Sequence, residues 1–292
     1  MVVNYGYVFS KWCTVEKADL NQNKHSSITI PFLKWAGGKR WLVSKHSQLF
    51  PENYNRYLEP FLGSGAVFFH LQPDVSILGD MNSDLIDTYK ALKEDWSETF
   101  TILEKYHSKH SKSFYYEIRD KTFVSLPERA ARFIYLNRTC WNGLYRVNLK
   151  GTFNVPIGTK QNVVLNTDDF ESISNLLRNA QLYSTDFQTI IDAAGKDDFI
   201  FIDPPYTVKH NLNGFIKYNE HIFSWEDQIR LRDCIDNAMA RGAKILLTNA
   251  DHPSIRDLYK DLGTIKSLDR LSVISGNAKA RGRFSELVMK SY

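Results

Sequence analysis

The residues best suited to chemistry, Asp203-Pro204-Pro205-Tyr206, follow a short apolar run, Phe199–Ile202. Four apolar, β-prone residues are too few for a helix and predict a buried strand of a parallel sheet. Ligands of open α/β sheets bind beyond the carboxyl ends of such strands, which places Asp203 in a site. Proline has no N–H, so this turn presents acceptors beside an aromatic ring. That combination suits a planar base with an exocyclic amine; the alternative is a proline-rich turn without chemistry.

Two further segments have the composition of a nucleotide-binding βα unit. Tyr57–Ala66 predicts a short strand, a glycine-rich turn and the start of a helix, although the G-x-G-x-x-G motif is missing. A second strand, Val75–Asp80, ends in an acid 17 residues after Gly63. This is close to the spacing at which an acid reaches a ribose hydroxyl. The combination favours a ligand site over the alternative that Asp80 caps a helix.

A glycine pair precedes these strands in the segment Pro31–Arg40. Gly37 and Gly38 would let the backbone approach a ligand closely, Trp35 could stack on it, and Lys39 could meet an anionic group. The spacing is not that of a P-loop. A purely structural turn before a helix is the alternative.

The segment Asn137–Gly158 differs in character from the rest of the chain. Turn signals at Asn142-Gly143 and Lys150-Gly151, with alternating apolar positions between them, predict a β-hairpin. The segment is rich in Arg, Lys, Asn and aromatic residues, which are the side chains that read base edges. A decorated surface hairpin is the alternative.

The remaining pattern predicts the elements that position these motifs. Apolar spacing and caps favour helices after Ser83, after Pro127 and after Ser224, where Asp227 completes a capping-box-like start. The predicted elements are one or two helices over Ser83–His107, a helix over Pro127–Tyr135, strands at Gln181–Asp186, Lys244–Asn249 and Phe284–Tyr292, a lid or DNA-contacting loop over Thr207–Phe223, a helix from Ser224 that stops at Gly242, and a basic loop over Ser272–Arg283.

Composition sets the outer limits. The chain has 292 residues, enough for one large domain or one domain with an insertion, and its net charge of +4 permits a polyanionic partner. Three widely spaced cysteines predict neither a disulfide framework nor a zinc site, and no metal is expected. The sequence shows no signal peptide and no run of apolar residues long enough to span a membrane, so a cytoplasmic location is expected.

Four motifs stand in one order: L-K-W-A-G-G-K-R, E-P-F-L-G-S-G-A, the segment of residues 137–158, and D-P-P-Y. In this order they resemble Dam-type (D12 class, alpha-group) adenine-specific DNA methyltransferases, including GATC-recognising members of restriction-modification systems. The resemblance covers roughly residues 30–292. Phe215–Tyr218 is similar to the family's F-T-x-Y. The chain departs from the family at Trp141, where Tyr or Phe is common, and at Ile216, where Thr is usual.

The resemblance implies an α/β fold with a Rossmann-like sheet of the S-adenosylmethionine-dependent methyltransferase kind, and an inserted helical and β-hairpin target-recognition region. Residues 28–82 and 178–292 would form the catalytic domain, residues 83–177 the insertion, and residues 1–27 an extension without an assigned role. The resemblance assigns these residues to S-adenosylmethionine: Trp35, Ala36, Gly37, Gly38, Lys39, Glu59, Phe61, Gly63, Ser64, Gly65, Asp80, Asp186 and Asp203. It assigns these to duplex DNA: Lys34, Asn137, Arg138, Trp141, Asn142, Leu144, Arg146, Asn154 and Pro156.

The expected chemistry is a direct displacement at the adenine amine. Asp203 and the Pro204 carbonyl would each accept one N–H bond of the amine, with Pro205 and Tyr206 completing the catalytic turn. The base must leave the duplex, and Tyr206 would stack on it through its ring, so that the hydroxyl is dispensable. A monomer is expected. The alternatives are a methyltransferase acting on RNA or on a protein glutamine, a catalytically silent DNA-binding homologue, and a nicotinamide-dependent enzyme, which the missing G-x-G-x-x-G disfavours.

Overall fold

The computed structural model describes residues 29–143, 145–148, 151–209, 223–271 and 283–292. Several sequence predictions lie outside these residues: the extension, Leu144, most of the predicted lid, the F-T-x-Y-like segment and most of the basic loop. The seven strands of the described part form one sheet. They are β1 (Tyr57–Glu59), β2 (Ser76–Asp80), β3 (Ala180–Ser184), β4 (Phe199–Ile202), β5 (Lys244–Ala250), β6 (Thr264–Leu271) and β7 (Arg283–Lys290).

The strand order is β3-β2-β1-β4-β5-β7-β6. The pairs from β3 to β5 are all parallel, and β7 runs antiparallel to both β5 and β6. The order reverses direction between β1 and β4, since the chain proceeds outward from β1 to β3 and then returns to β4. In open α/β sheets the crevice at such a reversal, beyond the carboxyl ends of the strands, is where ligands bind.

Nine α-helices lie within the described residues, together with short 3-10 turns at Ser47–Leu49 and Trp141–Gly143. The helices are α1 (Arg40–Lys45), α2 (Ala66–Leu71), α3 (Ser83–Lys109), α4 (Lys112–Asp120), α5 (Leu126–Thr139), α6 (Phe170–Leu177), α7 (Phe187–Asp192), α8 (Trp225–Ala240) and α9 (Pro253–Tyr259). In the part of the chain with described placement, no helix is long and apolar enough to cross a membrane.

The central strand β4 is buried on both faces. Phe199 and Phe201 contribute to one apolar cluster, whereas Ile200 and Ile202 contribute to the other. Because successive side chains of a strand point to opposite faces, the two clusters fill the two sides of the sheet. The prediction of a buried parallel strand that ends just before Asp203 is confirmed.

Local signals fix the ends of the helices that frame the sheet. Ser224 and Asp227 form the predicted capping box at the start of α8. Gly242 follows this helix with a φ of +90°, a conformation that suits glycine. At the start of α3 the cap is the Asn82 side chain, which accepts from the backbone N–H of Leu85, so Asp80 is not the capping residue.

The four helices α3 to α6 lie between β2 and β3 in the chain. Helix α3 packs against α5 and α6, with a non-helical residue, Asp95, in its interior. Helix α5 continues through Thr139, so the hairpin predicted from residue 137 begins later than expected. Isolated antiparallel bridges join Cys140 to Ile157 and Val147 to Phe153 in place of a regular ladder.

A buried ion pair joins this insertion to the chain that enters the sheet. The Arg138 Nη1 and Nη2 atoms lie 2.7 and 2.6 Å from the Asp168 carboxylate oxygens, and both side chains are 4% exposed. Arg138 also donates to the carbonyl oxygens of Phe32 and Val163. One guanidinium therefore connects the last turn of α5, the segment before α6, and the segment before α1.

We expect Arg138→Met to lower the free energy of unfolding by about 3–5 kcal/mol, because it leaves the Asp168 carboxylate buried without its partner. Urea titration followed by far-ultraviolet circular dichroism measures the change. The matched control is Arg119→Met on α4, where the partner, Asp120, is exposed. That pair should contribute less than about 1 kcal/mol. Equal losses in the two variants would contradict this account of Arg138.

Candidate active site and DNA-facing loop

Asp203 lies directly after β4 and is held by side chains from two other elements. The Lys39 Nζ atom is 2.8 Å from Asp203 Oδ2, and the Thr248 hydroxyl on β5 donates to Asp203 Oδ1 at 2.8 Å. Burial raises the pKa of Asp203, the positive charge of Lys39 opposes that rise, and the nearby Glu286 adds to it. Each carboxylate oxygen keeps further acceptor capacity after these contacts.

Lys39 is the only cation among the described residues that contacts this carboxylate. It is 3% exposed, and its ammonium group also donates to the Gly37 carbonyl at 2.7 Å and lies 3.5 Å from Glu286 Oε2. The turn that brings it here includes Gly37 at a φ of +76°, directly before α1. The first glycine motif of the sequence therefore places the buried Lys39 ammonium against Asp203, the acid of the D-P-P-Y motif.

Tyr206 is fixed at its hydroxyl. This group donates to Glu286 Oε2 on β7 at 2.8 Å, and the Lys39 ammonium lies 5.1 Å from the centre of the ring. Burial raises the pKa of Tyr206 well above its ordinary value, and the negative charges of Asp203 and Glu286 add to that effect. The phenol is therefore neutral and acts as a hydrogen-bond donor.

The glycine-rich turn after β1 contacts both the second strand and Trp35. The Gly63 N–H donates to Asp80 Oδ2 at 3.0 Å, and the other oxygen of Asp80 accepts from the Asn82 N–H at 2.9 Å. Gly63 has a φ of +48°, and a Cβ atom there would lie 2.7 Å from Trp35 Cδ1. The Trp35 ring therefore packs directly on a backbone that has no room for a side chain.

Glu59 ends β1 and is 2% exposed. The Tyr57 hydroxyl donates to its Oε2 atom at 2.8 Å. Burial raises the pKa of Glu59 well above its ordinary value, and the charges of Asp203 and Asp80 raise it further. Burial also raises the pKa of Asp80. Three carboxyl groups thus follow or end the neighbouring strands β2, β1 and β4.

Phe61 and Asp186 occupy the outer part of this edge. The Phe61 ring stacks on Phe187 with a centroid distance of 5.5 Å. Asp186 caps α7 and forms a two-bond pair with Arg230, at 2.6 and 2.8 Å, which lowers the pKa of Asp186. The assignment of Asp186 to a cofactor remains a prediction, for a carboxylate that already has an arginine partner.

The remaining residues of the two glycine motifs surround the same turn. The Gly38 N–H donates to the Trp35 carbonyl at 3.2 Å, and a Cβ atom on Gly38 would lie 3.5 Å from Ser64 Oγ. Ser64 is buried and Ala36 is exposed. The two motifs, separated in sequence by α1 and β1, are therefore adjacent in the fold.

Two residues that the sequence assigns to DNA are buried and bonded within the protein. Asn137 is fully buried, accepts from the Lys34 backbone N–H at 2.9 Å and donates to the Lys34 carbonyl at 2.8 Å. Arg138 is the buried partner of Asp168. The DNA contacts of Asn137 and Arg138 remain predictions, for side chains that are buried and already have partners within the protein. Asn137 fixes the backbone of Lys34, which is itself exposed.

The other DNA-assigned residues with described placement are on the surface. The exposed residues of this set are Lys34, Trp141, Asn142, Arg146, Asn154 and Pro156. Tyr145 attaches their loop to the site, because its ring stacks on Trp35 with a centroid distance of 6.3 Å and an angle of 16°. Its hydroxyl donates to Asp84 Oδ2 at 3.0 Å. Trp35 therefore contacts both the glycine turn and the loop.

Three residues of this site were not identified from the sequence as functional: Thr248, Glu286 and Tyr145. Thr248 and Glu286 each lie next to a run of buried apolar residues in their strands. A polar residue in such a position is the feature of the sequence that could have indicated a functional role. Tyr145 gave no signal of its own within an aromatic-rich loop.

A single reversed strand beside the edge of an otherwise parallel sheet, with acids beyond β1, β2 and β4, defines a Rossmann-like methyltransferase fold. The predicted fold class is confirmed. The sequence profile of D12 class N6 adenine-specific DNA methyltransferases matches residues 35–274. The chain belongs to this family.

Individual relatives agree with the family. The chain is 37% identical to the Type II methyltransferase M1.LlaDCHI of Lactococcus lactis subsp. cremoris, over 90% of this chain and 95% of that protein. It is 33% identical to the Type II methyltransferase M.MjaIII of Methanocaldococcus jannaschii, over 90% and 99%. It is 32% identical to the DNA adenine methylase of Haemophilus influenzae, over 88% and 92%. The prediction of an adenine-specific DNA methyltransferase is confirmed, against an RNA or protein substrate.

The contact between Gly63 and Trp35 can be tested by Gly63→Ala. A non-glycine residue in a left-handed conformation costs about 1–2 kcal/mol, and the added methyl group must also displace the Trp35 ring. The free energy of unfolding should therefore fall by more than that amount, and the tryptophan emission maximum should shift.

Gly151→Ala is the matched control, because Gly151 has a φ of +75° and open space where Cβ would lie. It should show the conformational cost without the emission shift. An emission shift that persists when Gly63→Ala is made in a Trp35→Phe background would contradict the predicted contact.

Proposed function

We propose that this enzyme takes the methyl group from S-adenosylmethionine and transfers it to the N6 amine of an adenine flipped out of duplex DNA. The observation that carries this proposal is the arrangement at β4. A partly buried carboxylate, Asp203, is oriented by Lys39 and Thr248, and the Tyr206 ring lies beside it. Acceptors held rigidly in a low-dielectric site are suited to an amine that becomes positively charged during the reaction.

The residues at this edge fit S-adenosylmethionine. Gly63 and Gly65 have φ values of +48° and +63°, the left-handed conformation that lets the chain turn tightly at the carboxyl end of β1. Glu59, Asp80 and Asp203 place three carboxyl groups at one edge of the sheet, which favours a ligand that carries positive charge. When bound, the sulfonium of S-adenosylmethionine supplies an electrophilic methyl group.

We assign the cofactor to the two glycine motifs and the acids beside them. Trp35 and Phe61 would contribute apolar contacts, Lys39 would face the anionic end, and Asp80 would face the ribose. These assignments follow from the placement of both motifs around one turn. Asp186 would act only if its pair with Arg230 opened.

The chain's own residues prepare the adenine amine. The Asp203 carboxylate and the Pro204 carbonyl would each accept one N–H of the amine, which favours a pyramidal nitrogen whose lone pair is no longer delocalised into the ring and can act as the nucleophile. Lys39 and Thr248 hold the carboxylate so that little reorganisation is needed during the reaction. Tyr206 would stack on the base, which has left the duplex.

The exposed loop supplies the DNA contacts in this proposal. Arg146 and the neighbouring exposed residues would enter the major groove, with Lys34 beside them. We propose residues 83–177 as the target-recognition region and residues 28–82 with 178–292 as the catalytic domain. We propose GATC as the target and a restriction-modification setting in the cytoplasm, supported by the motif resemblance and by relatives named Type II methyltransferase.

The role of Asp203 is tested by Asp203→Ala. Methyl transfer from tritiated S-adenosylmethionine should be abolished, because the acceptor of the amine is lost. Binding of a duplex in a gel-shift measurement should remain. Lys39 keeps Glu286 as a neighbour at 3.5 Å, so the variant should fold.

The matched control lies at the other end of the same strand. Asp198 precedes β4, is 2% exposed and pairs with Arg56 at 2.5 Å. Asp198→Ala should lower stability by about 3–5 kcal/mol without changing the rate per folded molecule. Retention of roughly a tenth of the wild-type turnover by folded Asp203→Ala would exclude a central catalytic role, since loss of one such group costs far more.

Arg146→Ala tests the choice of target. An arginine that binds guanine O6 and N7 through two bonds contributes about 1–3 kcal/mol of discrimination. We therefore expect weaker methylation of GATC and nearly equal methylation of duplexes with one substituted base pair. The measurement compares kcat/KM on GATC with its values on these near-cognate duplexes.

The control is Lys260→Ala, directly after α9. Lys260 is a surface cation that pairs with Asp257 of the same protein, so its loss should change neither kcat/KM value. If Arg146→Ala weakens all duplexes equally and lowers the salt slope by about one unit, Arg146 contacts a phosphate instead. Plasmid from cells that express the chain, digested with methylation-sensitive GATC nucleases, tests the target itself.

A further inference from the structure

A buried acid on β7, Glu286, contacts Tyr206 in the turn after β4, two strands away in the sheet. Glu286 lies on β7, where it pairs in register with Ala250 of β5 and Leu268 of β6. It is 2% exposed. The next three residues on β7, Leu287–Met289, are all buried and apolar, so Glu286 is an acidic residue that begins the buried stretch of this strand.

The described contacts of Glu286 are with the site rather than with the core. Its Oε2 atom accepts the Tyr206 hydroxyl at 2.8 Å and lies 3.5 Å from the Lys39 ammonium. A carboxylate is costly to bury, and an apolar residue would satisfy the packing of β7 at lower cost. The contacts of this carboxylate with Tyr206 and Lys39 offset the cost of its burial and hold these two side chains in place.

We infer that Glu286 is a positioning residue, which holds the Tyr206 hydroxyl so that the ring is already oriented for the flipped adenine before DNA binds. The inference rests on the proposed stacking role of Tyr206. The turn Asp203–Tyr206 lies outside the β ladder, so the backbone after β4 does not by itself fix the ring. The bond from a neutral phenol to a carboxylate on β7, a strand that is paired on both sides, supplies that constraint.

This inference changes the expectation for the hydroxyl of Tyr206. Stacking by itself requires only the ring, so Tyr206→Phe would be expected to keep much of the activity. In the structure the hydroxyl is the point at which the ring is anchored. Tyr206→Phe should therefore leave an aromatic ring that is present but less well oriented.

The test is a double-mutant cycle with Tyr206→Phe and Glu286→Met. Methionine is close to glutamate in length and apolar, so it suits a strand that continues with Leu287. Single-turnover methylation should fall on the order of tenfold in each variant, as expected for a misplaced reacting group. The double variant should be no worse than Tyr206→Phe by more than about twofold, because the two residues act through one bond.

Two further measurements separate orientation from general damage. Glu286→Gln keeps an acceptor oxygen for the hydroxyl and should restore the rate to within about threefold of wild type. With 2-aminopurine at the target position, fluorescence of the bound duplex should be higher for Glu286→Met and Tyr206→Phe, because the flipped base is less well stacked. Ser285→Ala, which removes the neighbouring bond to Asp269, is the control and should change neither readout.

Additive losses in the double variant would overturn the inference, as would wild-type rate and fluorescence in Tyr206→Phe. Equal damage from Glu286→Gln and Glu286→Met would assign the effect to charge at Lys39 instead. If Tyr206→Ala leaves both readouts at their wild-type values, the proposed stacking role itself fails. If Tyr206→Ala is damaging but Glu286 acts independently, only the inference fails. Should Glu286→Met not fold, the Tyr206→Phe measurements decide.

Discussion

The ion pair between Lys39 and Asp203 is the contact on which the rest of the site depends. It joins the turn before α1 to the end of β4, and it is enclosed by Glu286 and Tyr206. A buried lysine would be costly without carboxylates, and the buried carboxylates would repel one another without the lysine. The first and last motifs of the sequence therefore stabilise each other, although most of the chain lies between them.

Trp35 extends this arrangement towards the DNA-facing surface. One part of its ring packs on Gly63, and the Tyr145 ring stacks on it from the insertion. Asn137 adds a second connection, through both backbone polar groups of Lys34. The exposed loop that contains Tyr145 is thus built onto the same few residues that shape the glycine turn.

Much of the fold could be predicted from local signals, because they act over a few residues. The strand before Asp203 and the capping box at Ser224 are examples. The roles of Asn137 and Arg138 could not be predicted, because polar residues of the same kind serve as surface contacts or as buried partners, depending on distant Lys34 and Asp168. The sequence does not predict strand β6, because this strand lies at the edge of the sheet and mixes polar and apolar residues without a clear alternation. Its pairing with β7 depends on the tertiary fold. Motifs in the sequence predict the site residues that lie within them. The contact of Glu286 with Tyr206 could not be predicted, because it depends on the order of the strands in the sheet.

The position of β7 has a consequence for the order in which the protein matures. This strand is synthesised after β6 but lies between β5 and β6 in the sheet. While the chain is still on the ribosome, β6 therefore has no strand of its own to pair with. It can join the sheet only after β7 has been synthesised and has paired with β5. Because β7 also carries Glu286, the bond from the Tyr206 hydroxyl to that carboxylate cannot form until this strand has been translated and inserted.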